Sequence, residues 1–163
     1  MPLVNRKRPQ MGDVVEIETP KGLAYVQYTY NHKEPPVYGA LIRVLPGLHD
    51  SRPSDFSRLV REKERFFVFF PLGAACNRDI VKIVAHEEIP KISSGIPLMR
   101  TSSRYRDKSG KMIEADWWLW DGKEERRIGK LPEKYHDLSL RESWNDTLLI
   151  ERIVSGWRPA DEV

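Results

Sequence analysis

Two runs, Phe66-Phe67-Val68-Phe69-Phe70 and Trp117-Trp118-Leu119-Trp120, constrain the fold more than any other feature of this chain. Flat aromatic and β-branched side chains fit a pleated surface. Neither run alternates apolar with polar residues, so part of each strand is expected to be covered on both faces. With 31% of the residues charged, little other apolar surface is gathered so densely. The runs predict a mostly β domain closed around aromatics.

Shorter signals supply the order of elements. Strands are expected over residues 14–17, 23–30, 38–45, 66–70, 80–85, 111–120 and 123–131, with a short edge strand at 97–100. Along 23–30, Leu23, Tyr25, Gln27 and Thr29 point one way and Ala24, Val26, Tyr28 and Tyr30 the other. Thr19-Pro20-Lys21-Gly22 and Asp121-Gly122 read as turns, and Gly39 as a bulge or a close approach. Ser54 or Asp55 can cap a short helix to about residue 64, with Phe56, Leu59 and Val60 inward. Residues 72–78 form a turn or short helix. Asn145 or Asp146 can cap a helix over 147–155 that buries Leu149, Ile150, Ile153 and Val154 and stops at Gly156. The fold class is α+β: a strongly bent antiparallel sheet or partly open SH3-like barrel with two or three short helices. One domain spans 1–163, with 1–11 a flexible, solvated arm carrying Arg6, Lys7 and Arg8, and 87–110 a loose basic segment.

The lone Cys76 excludes an internal disulfide and suits a reducing cytosol, where a buried, inert thiol is expected. No apolar stretch reaches the length of a membrane span, and no signal-peptide pattern opens the chain, so a cytoplasmic protein without membrane contact is expected.

Catalytic patterns are lacking. His32, His49, His86 and His136 are not spaced for zinc, and no metal or other cofactor is expected; solvated loop positions suit His32 and His49. The carboxylate pairs Glu87/Glu88, Glu124/Glu125 and Asp161/Glu162 lie in polar segments, where neighbours on a strand face opposite ways. An enzyme is therefore not expected, and a hydrolase built on His49, Asp50 and Arg52 ranks third among the readings. Trp118 and Trp120 share one face, Trp117 and Leu119 the other. Both faces can be buried beneath the C-terminal helix, or one can be a platform for a ligand or partner. With Arg100, Arg104, Arg106 and Lys108 close by, a nucleic-acid-binding barrel is the second reading.

Gly12-Asp13-Val14-Val15-Glu16-Ile17, then Gly22-Leu23-Ala24-Tyr25-Val26-Gln27-Tyr28 and Tyr38-Gly39-Ala40-Leu41-Ile42-Arg43-Val44, resemble the opening strands of the bacterial immunity protein twenty-six family, and Phe67-Val68-Phe69-Phe70 resembles the aromatic strand that follows. The resemblance covers roughly residues 12–131 and is a fold pattern, not a catalytic signature. The same opening is similar to small SH3-like barrels, which bind RNA, DNA or protein. The family resemblance implies an antidote that neutralises a cognate toxin protein by occlusion. A net charge of +3 and a pI near 9.0 then imply a target other than a strongly basic nuclease. Of the two loops flanking the strand 38–45, residues 46–53 are the expected contact: Leu48 is apolar in an aperiodic loop, and His49, Asp50 and Arg52 can pair with a polar rim.

Overall fold

The computed structural model describes residues 6–103, 105–113 and 116–163. Five strands form one antiparallel sheet: β1 (Asp13–Thr19), β2 (Gly22–His32), β3 (Gly39–Val44), β4 (Phe66–Phe69) and β5 (Lys82–His86), in the order β4-β3-β2-β1-β5. The tight turn after Thr19 sets Thr19 opposite Gly22 and Val15 opposite Val26. Side-chain alternation along β2 follows the expected two faces as far as Tyr28; there the register shifts, and Tyr30, expected beside Tyr28, packs instead with Leu41 and Phe69. Ala24, Val26 and Tyr28 join Val15, Ile17, Ile42, Val44, Phe66 and Val68 in one core, and Tyr25 joins Val14 and Leu45 in another on the opposite face. The sheet is open, with β4 and β5 as its edges, so the fold is α+β and not a closed barrel.

Two helices cover the first face. The short α1 (Leu72–Asn77) buries Leu72, Ala75 and Cys76 there. The longer α2 (Asp146–Ser155) buries Leu149 and Ile153. Its ends are those the sequence predicts: Asn145 accepts the Leu148 N–H, and Gly156 adopts the left-handed conformation. Short 3₁₀ turns serve where longer elements are expected. The helix predicted to run to residue 64 is one such turn, Leu59–Arg61. Asp55 accepts hydrogen bonds from Ser57 N and Oγ and closes a local turn instead of capping a helix. Phe56, Leu59 and Val60 still reach the second face of the sheet.

A second, three-stranded sheet with the tryptophan strand at its centre packs on the second face through Met99 and Trp120. It comprises β6 (Met99–Ser102), β9 (Trp117–Trp120) and β10 (Glu125–Gly129), and a separate hairpin pairs β7 (Tyr105–Arg106) with β8 (Met112–Ile113). The long strand predicted over 111–120 is therefore two strands in different pairings. Met99 and Trp120 meet Leu41 and Phe69, which joins the two sheets. The helix expected over the tryptophan strand lies on the far face of the larger sheet instead, because its apolar stripe fits the aliphatic core there.

Two further expectations are corrected. Lys7, Arg8, Gln10 and Met11 are exposed, but the segment 6–11 is tethered: Arg6 bonds both oxygens of buried Asp13, and Gln10 N donates to the same carboxylate at 2.7 Å. Residues 1–5 and Arg104 lie outside the described residues. Within 87–110, β6 is paired on both sides, and Ser93 donates to Glu64 at 2.6 Å, so that stretch is not uniformly loose. Among the described residues no helix is long and apolar enough to cross a membrane.

Candidate functional site

The loop 46–53 is fixed at its middle. Leu23 and His49 exchange backbone hydrogen bonds of 2.8 Å in both directions. Gly22 makes this approach possible, because a Cβ there would come within 2.9 Å of the His49 carbonyl oxygen. The His49 ring packs edge-on against Tyr25 at 5.3 Å, and its Nε2 is enclosed without a hydrogen-bond partner. Arg52 turns away from solvent to grip Glu16, Nε to Oε2 at 2.7 Å and Nη2 to Oε1 at 2.9 Å. Tyr25 also donates to Glu16. The Arg52 hydrogen bonds hold the Glu16 carboxyl below its ordinary range against the opposing effect of burial. Burial, then the neighbouring carboxylate, pushes the Tyr25 phenol well up. Among the described residues no hydrogen bond joins His49 to Asp50 or to Arg52, whose guanidinium is engaged with Glu16. Arg52 is likewise not an open rim residue, while Asp50 is exposed.

Leu48 faces the other way, towards the end of α2. It packs against the aliphatic core and, with Gly47, Ile153 and Val154, lines an open cleft of about 470 Å³. Arg65, Gly156 and Arg158 complete the lining. Arg65 donates to Ile153 O at 3.1 Å, beside the Gly156 N–H on the same carbonyl, and to Trp157 O at 3.3 Å just past the end of α2. Its burial pushes the guanidinium pKa down. Arg158 is exposed and reaches Asp161 at 3.3 Å.

No family model matches the chain, and no curated protein or solved structure does either.

Among the described residues of the basic cluster in the second reading, Arg100 does not share a surface with Arg106 and Lys108. Arg100 is fully buried and donates to Leu138 O, His136 O, Pro159 O and Glu162 O at 2.6–3.1 Å, with its guanidinium 4.7 Å from the Trp117 ring centre. It anchors the C-terminal residues and has no face for a phosphate. Arg106 and Lys108 are exposed at the β7–β8 hairpin, where Arg106 donates to Gly110 O. Trp117 and Trp120 are buried and Trp118 is half-buried.

Several other titratable groups are tied into the scaffold. Arg43, fully buried, bonds Gln27, Glu64 and the carbonyls of Val60 and Glu62. His32 is not a solvated loop residue: it ends β2, buried among Tyr38, Phe69 and Trp120, with Nδ1 unpartnered. His86 Nδ1 lies 2.8 Å from Asp13 Oδ1. The Cys76 thiol is pushed up to about 11 by burial. Among the described residues no group of three or more His, Cys, Asp or Glu could hold a metal ion. Sequence reasoning selected Leu48 but missed Arg65, whose partners lie 88 and 92 positions away.

Proposed function

We propose that the protein binds another protein stoichiometrically and neutralises it by occlusion, as an immunity-type antidote does with its cognate toxin, in the cytoplasm and without a covalent step. One observation carries the reading. Leu48, held by the Leu23–His49 bridge, and Val154, both half-buried over buried Ile153, line an apolar cleft beside Arg65 and Arg158. An apolar centre within a polar rim is the usual anatomy of a protein–protein contact. The polar residues beside it favour binding over turnover: Arg52 is committed to Glu16, and the His49 ring is packed on Tyr25.

The test is co-expression with the product of the adjacent reading frame, scored by host growth and by co-purification. Protection is expected from the native chain. It is expected to be lost with Leu48→Asp and with Val154→Glu while each variant remains folded, with melting lowered by placing a charge against the core. Full protection by both folded variants would remove this surface from the reading.

A further inference from the structure

We infer that the cleft beside Leu48 receives an apolar side chain flanked by a carboxylate, so that the docking partner presents an acidic, aliphatic segment there. This rests on the cleft being the docking surface and adds the chemistry of its occupant. The lining supplies aliphatic carbon from Leu48, Ile153 and Val154, two arginines, and no acidic residue. Its volume of about 470 Å³ is in the range of ligand clefts.

Arg65 decides the preference. Two of its five N–H donors go to Ile153 O and Trp157 O, and the others have no hydrogen-bond partner among the described residues. Burial is what lowers its pKa, and no neighbouring carboxylate acts to raise it. A half-buried guanidinium without an anion becomes costlier as an occupant removes its remaining water. A carboxylate arriving with that occupant offsets the cost and takes the free donors in a charge-assisted, fork-like contact. A cationic occupant would meet two like charges. The negative end of α2 opposes an anion, but Arg65 already occupies the Ile153 carbonyl, so the guanidinium is the group offered to the cleft. Arg158, partly engaged by Asp161, adds positive charge at the rim.

The probes are isocaproate, its uncharged amide isocaproamide, and isoamylamine, titrated into the labelled protein and followed by amide and Arg65 Nε–H resonances. Isocaproate is expected to give saturable shifts at Gly47, Leu48, Val154 and Arg65. Binding of isocaproamide should be at least about tenfold weaker, the difference expected between charged and neutral hydrogen bonding. Isoamylamine should give no saturable shift. Arg65→Lys, which keeps the charge but loses the fork, should weaken isocaproate binding while melting is retained. Equal affinity for acid and amide, or no saturable response to any probe, would overturn the inference. The two readings separate cleanly. Equal binding of acid and amide with protection lost in Leu48→Asp removes the acidic occupant and keeps the docking surface. Acid-selective binding with full protection by Leu48→Asp and Val154→Glu removes the docking surface, and with it the partner.

Discussion

Arg52 and Glu16 stand 36 positions apart in sequence and meet in a two-bond pair at the root of the loop 46–53. The Glu16 carboxylate is nearly buried, and the Arg52 side chain is about a third exposed. Arg52→Ala leaves Glu16 with Tyr25 as its remaining side-chain hydrogen-bond donor, and a loss of about 2 kcal/mol is expected, the range for hydrogen bonds to a charged group. The folded-state pKa of Glu16 is depressed, so its contribution is present above the unfolded value and is lost as pH falls through the folded one. Denaturant titrations should show native stability declining below roughly pH 4.3, with a shallower decline in Arg52→Ala. Identical pH profiles for the two proteins would contradict this account.

Arg100→Ala is expected to be among the most damaging single changes. It leaves four carbonyl acceptors, that of Pro159 fully buried, without this donor and removes the contact with Trp117. A loss of roughly 3 kcal/mol or more is expected, since each buried acceptor left unsatisfied costs about 1–3 kcal/mol. Hydrogen exchange at Asp161 and Glu162, whose N–H groups are bonded in the native turn, should rise before global unfolding. Lys108→Ala, at an exposed hairpin position, should change stability by less than about 0.5 kcal/mol.

Oligonucleotide binding should be weak and salt-labile, on the order of 10⁻⁴ M near physiological salt. With Arg100 buried, Arg106 and Lys108 are what the described residues retain of that cluster. Sub-micromolar binding lost in the double charge reversal Arg106→Glu, Lys108→Glu would instead support the nucleic-acid reading.

What the sequence made legible is what local patterns control. The faces of β2 up to Tyr28 follow from alternation, and the ends of α2 from Asn145 and Gly156, because each acts on its own few neighbours, whereas the register shift that turns Tyr30 to the other face is set by pairing with β3. The misread helix near residue 59 belongs to the same class: Asp55 and Ser57 are local too, but two competing local hydrogen-bond patterns were open to them. Leu48 was visible as an apolar residue without a period. Its neighbours across the cleft were not, since Arg65 finds its partners only after the chain has returned through α2. Arg100 was misassigned for the same reason. Among other arginines it reads as solvated, and its acceptors come from residues 136–138 and 159–162.

Cys76 should resist modification in the native state. Burial pushes its pKa up to about 11, so little thiolate exists at neutral pH, and α1 packs it inside the core. Reaction with a thiol-specific reagent should become fast only in denaturant, in step with unfolding. Rapid stoichiometric labelling without denaturant would show that α1 opens independently of the sheet.

Gly22→Ala should link the fold to the proposed contact. Gly22 has φ +129°, which disfavours any side chain, and the added Cβ would lie 2.9 Å from the His49 carbonyl oxygen. That oxygen accepts the Leu23 N–H, so it cannot move away without weakening the bridge that holds the loop. Gly156→Ala is the control: its φ is +73°, but the added Cβ meets nothing within 4 Å. Both variants should lose about 1 kcal/mol from backbone conformation. Gly22→Ala should lose more, and it alone should shift the resonances of Leu48 and His49 and reduce protection in the co-expression assay. Equal stability losses with an unmoved Leu48 would mean that the Leu23–His49 bridge does not set the position of the loop.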